Sequence, residues 1–380
     1  MSQLRILLFL LFLLPISLLA QVRIIVEQVP ATTPIDAELY VAGSFNNWKA
    51  GDSNFRLQKN QFGQFYIEFF PTQPLGVFEY KITRGSWASV EGNNQGGFRS
   101  NRVLNYNTGG VTQEIEIETW EDLNGGEAAS TAAPNVEVLA TSFFIPQLNR
   151  YRRIWIYLPP DYKTSNRRYP VVYLHDGQNM FDRLTSFSGE WQLDESMNGM
   201  FQFGDPGAIL VGIDNGGVHR LNEYSPWVNQ KYGGGEGDEL AAFIVNDLKP
   251  FIDREFRTLA DPNHTAIVGS SMGGLLALYM AVEYQQVFGR AGIFSPALWF
   301  SDEAFQHVYR KGKQKDVRFY LLGGVNEGSD MVGKLQYLHK VLTDVGFNGN
   351  SIFLNIHQDG QHSEWYWARE FPGAYQWLFQ

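Results

Sequence analysis

Ala266-Ile267-Val268-Gly269-Ser270-Ser271-Met272-Gly273-Gly274 is an apolar run that closes in Gly-x-Ser-x-Gly and passes straight into Leu275-Leu276-Ala277-Leu278-Tyr279-Met280. The pattern predicts a buried strand that stops at a tight turn, followed at once by a helix. Small residues at 269, 273 and 274 permit the turn, and Ser271 is left on a strained corner with its hydroxyl presented. Such a corner is a nucleophile elbow. The backbone N–H of Met272, at the start of the helix, is then available to a developing oxyanion. With 38 glycines in the chain, the motif alone has little weight; its strand-before and helix-after setting is what makes it informative.

Outward from the elbow, strands and helices alternate. Arg153–Leu158, Tyr169–Leu174, Ala208–Ile213, Arg290–Phe294, Arg318–Leu322 and Ser351–Ile356 read as strands, and Glu239–Phe251 as a helix. Tyr169–Leu174 is apolar on both parities after Pro170, as a central strand covered on both faces must be. Repeated βα units predict a mostly parallel sheet with ligands at the carboxyl ends of its strands. An elbow on such a sheet specifies an α/β class of α/β-hydrolase type over residues 136–380.

An elbow serine needs a base, and the base needs an orienting carboxylate, in the chain order Ser, acid, His. Of seven histidines, only His357 and His362 follow late enough. His362 lies in the polar loop Asp359-Gly360-Gln361-His362-Ser363 beyond an apolar strand and is the expected base; His357 sits at the strand's edge. Leu321-Leu322-Gly323-Gly324-Val325-Asn326-Glu327 puts Glu327 just after a buried strand as the expected acid, with Asp330 as the alternative. The loop His175-Asp176-Gly177-Gln178 supplies the second oxyanion amide, that of Gln178. His175 and Asp176, adjacent in sequence, point different ways and are expected to shape this loop. Glu223, Tyr224 and Trp227, together with Trp299 and Trp365, are candidates for walls of a substrate pocket.

Before the elbow region the pattern differs. Ala37–Gly43, Gln64–Phe70, Val77–Thr83 and Thr112–Glu118 alternate with period two and are separated by turn residues, with no helical segment among them. Residues 22–120 are therefore expected to form a small all-β, immunoglobulin-like sandwich. Residues 121–135, Gly- and Ala-rich with few large apolar side chains, read as a linker. Residues 1–20 carry one cation, an apolar core and a terminal Ala20, the pattern of a secretory signal peptide, with a secreted or periplasmic destination. The chain has no cysteine and a net charge of −10. Disulfides and Cys-bound metals are excluded, nucleic acid is disfavoured as a partner, and no membrane association is expected after cleavage.

Two resemblances follow from these residues. Gly43-Ser44-Phe45-Asn46-Asn47-Trp48, Glu79-Tyr80-Lys81, Trp87, Glu91 and Asn101-Arg102 resemble the starch- and glycogen-binding modules of amylases and AMP-activated kinase. The resemblance implies Trp48 and Trp87 as stacking platforms and Lys81 and Asn101 as hydroxyl partners for a glucan. The chain departs from that pattern at Val90, where the family has its second Trp directly before the Glu. The stretch 136–380 resembles an esterase family that includes enterochelin esterases, esterase D, feruloyl and acetylxylan esterases of carbohydrate esterase family 1, and mycolyltransferases. The residues that carry the likeness are Tyr173–Asp182, Asn222–Trp227, Gly233–Gly235, Leu248–Asp253, Gly269–Gly274 and Phe294–Ala297. It implies a serine hydrolase without metal or cofactor, with Ser271, His362 and Glu327 as catalytic residues and Gln178 and Met272 as oxyanion donors. The expected function is a carboxylic-ester hydrolase acting through an acyl-enzyme on an acylated carbohydrate. A siderophore esterase and an inactive glycan-binding protein are the alternatives.

Overall fold

Alternating buried and solvated positions in 22–120 become strands, and continuous apolar runs after 136 become the core of a larger sheet. The computed structural model describes residues 21–379 apart from Asn47, Pro74, 94–98, Ser100, 124–129, Phe187 and Ser329. The expected signal peptide, and 124–129 of the expected linker, lie outside the described residues. Two compact units divide between Gly125 and Gly126.

The first unit contains β1 (Val22–Gln28), β2 (Tyr40–Gly43), β3 (Gln58–Lys59), β4 (Phe65–Phe69), β5 (Gly76–Thr83), β6 (Glu91–Gly92), β7 (Arg102–Tyr106), β8 (Val111–Glu116) and β9 (Thr119–Trp120). They form a four-stranded sheet in the order β3-β4-β1-β8, a three-stranded sheet β2-β5-β7 and a short β6–β9 ladder. Val22, Ile24 and Ile67 from the first sheet share one apolar core with Val41, Tyr80, Ile82 and Leu104 from the second.

The second unit carries β10 (Val136–Ile145), β11 (Arg150–Tyr157), β12 (Val171–His175), β13 (Ile209–Ile213), β14 (Thr265–Ser270), β15 (Arg290–Phe294), β16 (Arg318–Gly324) and β17 (Ile352–His357). They make one sheet in the order β10-β11-β13-β12-β14-β15-β16-β17. The first two pairings are antiparallel and all the others parallel. This large, mostly parallel sheet is the one expected of an α/β-hydrolase-like fold. Its helices are α1 (Leu193–Gln202), α2 (Arg220–Glu223), α3 (Gly237–Phe243), α4 (Lys249–Glu255), α5 (Met272–Glu283), α6 (Glu303–Lys311), α7 (Met331–Asp344) and α8 (Glu364–Phe379).

Successive side chains of a strand face opposite ways, so an apolar residue at every position demands cover on both sides. Val171 and Tyr173 of β12 enter a core with α3, α5, α6 and α7, whereas Val172 and Leu174 enter a second core with α1 and α8. Helix α5 is buried along its whole length from Met272 to Val282, which anchors the turn that precedes it. The helix expected over 239–251 runs from 237 to 255 but contains a π-helical turn, Ile244–Leu248, between α3 and α4. Pro250 explains it: the ring lacks an N–H and crowds the carbonyl four residues back, so the ladder loosens there. No helix among the described residues is long and apolar enough to cross a membrane.

Candidate active site

Five adjacent parallel strands, β12, β14, β15, β16 and β17, end on the same edge of the sheet, and the loops leaving them carry the residues singled out by the sequence. Ser271 follows β14 directly and has φ 55° and ψ −121°, a region a residue with a Cβ enters only when its surroundings enforce it. Its N–H donates to Phe294 O at 3.0 Å, and its carbonyl accepts from Ala297 N at 2.9 Å and Leu275 N at 3.0 Å. Gly269 has no room for a side chain, since a Cβ there would lie 2.4 Å from Gly273 O. The corner is therefore held by the end of β15 and the first turn of α5.

Glu327 lies in a 3-10 turn after β16 (Val325–Glu327). Its Oε1 accepts Ser295 Oγ at 2.8 Å and Gly324 N at 2.6 Å. Its Oε2 accepts from His362 Nδ1 at 2.8 Å. The carboxylate is wholly shielded (side chain 0 % exposed) while the imidazole is about one-third exposed, at 35 %. Two loops must come together for this contact, and glycines allow it: a Cβ on Gly324 would sit 2.1 Å from Gly360 O. Asn326 N donates to that same carbonyl at 3.1 Å. Asp330, the alternative acid, instead begins α7, exposed, with Lys334 Nζ 3.5 Å away. His357, the last residue of β17, has its Nε2 3.0 Å from Glu370 Oε2.

Ser295 and Trp367 were not foreseen. Ser295, with φ 41°, donates to Glu327 and accepts from Trp367 Nε1 at 2.8 Å. The Trp367 ring also stands edge-on to His362, centroids 5.0 Å apart. Ser295 was legible in one respect, as the first residue beyond an apolar strand on a parallel sheet. Nothing in the sequence distinguishes Trp367 from the other aromatic residues of α8.

The loop after β12 forms a 3-10 turn, Gly177–Asn179. Both Gln178, near the start of this turn, and Met272, the first residue of α5, belong to the opening N–H groups that a helix leaves without an internal acceptor. Gln178 is fixed from both ends: its carbonyl accepts Thr185 Oγ1 at 2.8 Å and its Oε1 accepts Asn215 N at 3.1 Å. Asp176, with φ 57°, takes a bidentate pair from Arg220 at 2.7 and 2.8 Å and Asn215 Nδ2 at 2.6 Å. Burial opposes the charge on Asp176, but Arg220 and Asn215 outweigh it and hold the carboxyl below its ordinary value. His175 turns the other way, onto Tyr224 at 5.2 Å; burial lowers it to about 4, so it is neutral at pH 7. Arg220→Met would strand the Asp176 carboxylate inside the protein, and we expect a stability loss of about 3 kcal/mol. Urea unfolding checks this as a lowered midpoint at unchanged slope.

Four expectations need correction. Glu223 and Tyr224 are both 0 % exposed. Glu223 holds Arg150 and Arg152 at 2.8–2.9 Å, and the Tyr224 hydroxyl accepts Asp176 N at 2.9 Å. Both are shut inside and brace the loop through these bonds, so neither offers a surface to a pocket. Trp227 packs edge-on against Tyr279 at 5.8 Å, as part of the core's margin. Trp299 does stand in solvent, 53 % exposed, two residues beyond the Ala297 that holds Ser271 and edge-on to Tyr232. Trp365 is half-buried beneath Arg369. In the first unit Lys81 is only 3 % exposed and is a buried member of β5, not a surface donor. Trp48 and Trp87 are half-buried with ring centroids 6.2 Å apart, and Asn101 Nδ2 donates to Glu79 at 3.1 Å.

Comparison with known proteins identifies the family. The Esterase family model, described as "Putative esterase", matches residues 145–378. The uncharacterized protein YbbA of Bacillus subtilis strain 168 is 27 % identical over 241 residues, covering 60 % of this chain and 92 % of YbbA. An alpha-amylase of Niallia circulans is 38 % identical over 95 residues, which is 25 % of this chain and 7 % of the amylase. Among solved structures, the enterobactin esterase FES of Shigella flexneri shares the fold with TM-score 0.57 at 17 % identity, over 90 % of this chain and 88 % of that one. The family match takes in every strand end described above, and by it the chain belongs to the Esterase family and is a carboxylic ester hydrolase.

Proposed function

We propose that the protein is an exported serine esterase that works through an acyl-enzyme, with Ser271 as nucleophile, His362 as base and Glu327 as the carboxylate that orients it. The observation that carries this reading is the His362–Glu327 contact of 2.8 Å at the strand edge where the strained Ser271 stands. With Nδ1–H directed to Glu327, Nε2 is the nitrogen that takes a proton. His362 removes the Ser271 proton as Oγ attacks the ester carbonyl, and the Gln178 and Met272 amides stabilise the oxyanion. The protonated imidazole passes its proton to the leaving alcohol. Water then attacks the acyl-enzyme by the same route, returning Ser271 and releasing the acid.

The substrate class we favour is an acylated carbohydrate, with Trp299 as an exposed wall for its acyl or sugar part. The first unit supports this: two sheets over one core suit an immunoglobulin-like sandwich, and Trp48 and Trp87 form a paired aromatic surface of the kind that pyranose faces stack upon. A 95-residue amylase match has the length of such a module. Replacing Trp48 and Trp87 together by Ala is expected to weaken retention on soluble starch in affinity gels by about tenfold or more, with ester turnover unchanged. Undiminished retention would remove the glucan reading. The fold shared with an enterobactin esterase does not choose between sugar and siderophore esters.

The test is hydrolysis of p-nitrophenyl acetate, p-nitrophenyl butyrate and methyl ferulate by the protein, beside His362→Ala. Turnover that collapses in the variant supports the mechanism, and the ranking of esters narrows the acyl group. A folded protein with no turnover would favour a glycan-binding protein without activity.

A further inference from the structure

On the far side of the Gln178 loop, α1 opens among three carboxylates. One oxygen from each of Glu190, Asp194 and Glu195 lies within 4.8 Å of the others. Acidic groups in a first turn are favourable to the helix dipole by themselves, so their presence alone means little. Asp194 is what sets this group apart. It is 0 % exposed; its Oδ2 accepts Ala133 N at 2.7 Å, whereas its buried Oδ1 has no donor among the described residues. A carboxylate oxygen shut away from water beside two further carboxylates requires positive charge between them, as a proton or a cation.

We infer that Glu190, Asp194 and Glu195 bind a divalent cation of the calcium class. The donors are all hard oxygens, which suit calcium and magnesium and not zinc or copper. Calcium–oxygen bonds of about 2.3–2.6 Å allow ligands on one ion to stand up to about 4.6–5.2 Å apart, so three oxygens within 4.8 Å of one another can meet on it, and calcium's flexible coordination suits a set that mixes a buried and an exposed carboxylate. Glu195 is exposed and Glu190 partly so, leaving the outer positions to water.

The cation would act as a clamp. Thr131 Oγ1 donates to Glu190 at 2.8 Å, and Ser130 Oγ and Thr131 N bind Asp182 at 2.7 and 3.2 Å. Trp191 N donates to Asn179 O at 2.8 Å and Leu193 N to Met180 O at 3.0 Å. Fixing the three carboxylates therefore fixes the segment 130–133, the start of α1 and the back of the loop that carries Gln178. This site stands apart from the esterase chemistry and does not depend on it.

The probe is terbium(III), added to chelator-treated full-length protein and excited through tryptophan; Trp191 adjoins Glu190. We expect saturable emission that calcium displaces. Calcium at tenfold above half-saturation should also raise the unfolding temperature by about 3–5 °C. Both effects should be lost in Asp194→Asn and in Glu195→Gln; the second changes only an exposed side chain, so its fold is secure. Absence of saturable emission and of any calcium shift would overturn the site and leave a proton shared between Asp194 and Glu195. Emission and shift retained undiminished in Glu195→Gln would overturn it as well.

Discussion

Ser271→Ala is expected to lower kcat for p-nitrophenyl acetate by about 10⁶-fold, with little change in stability. The size follows from the role: removing the nucleophile forces direct attack by water and leaves only substrate positioning and the oxyanion amides, a loss of about 8 kcal/mol of barrier lowering. Stability should move by less than about 0.5 kcal/mol, because the corner is held by backbone bonds to Phe294, Ala297 and Leu275 and not by the hydroxyl. Steady-state kinetics beside thermal unfolding separates the two effects. A fall in both together would mean that the variant had lost its fold and not its nucleophile.

Glu327→Gln should cost about 10⁴-fold in kcat with KM nearly unchanged. The carboxylate takes three donors, Ser295 Oγ, Gly324 N and His362 Nδ1. An amide in its place turns an N–H toward the imidazole, which then presents its lone pair at Nδ1 and carries its proton on Nε2, where it cannot accept from Ser271. Asp330→Asn is the control: that side chain is exposed beside Lys334, and activity should stay within about twofold. Loss of activity in Asp330→Asn with Glu327→Gln unaffected would reverse the assignment of the acid.

Much of this edge was legible in the sequence, and the reason is physical. A tight turn between an apolar strand and an apolar helix admits few residue types, so Gly269, Ser271 and Gly273 were visible as a unit. Glu327 and His362 were visible because each is a polar group in a loop just beyond a buried strand. Pairwise choices needed three dimensions: Glu327 and Asp330 are three residues apart, and only the close approach of Gly324 to Gly360 turns the first toward the imidazole. The misread residues share a cause. Glu223, Tyr224 and Lys81 are polar or amphipathic side chains of the kind usually met at surfaces, yet Glu223 is buried between Arg150 and Arg152 from β11. Such ion pairs join residues some seventy positions apart, which no local pattern encodes. Ser295 and Trp367 escaped for the same reason, since their hydrogen bond spans 72 residues. In the first unit the strands read out well by alternation, while the burial of Lys81 depended on neighbours across the sheet.

The most direct test of the account is the site of covalent modification by a fluorophosphonate probe, read by intact mass and peptide mapping. One adduct per chain is expected, on the peptide that contains Ser271, and none in Ser271→Ala. Labelling at another residue, or a protein that hydrolyses esters while Ser271 stays unmodified, would contradict it.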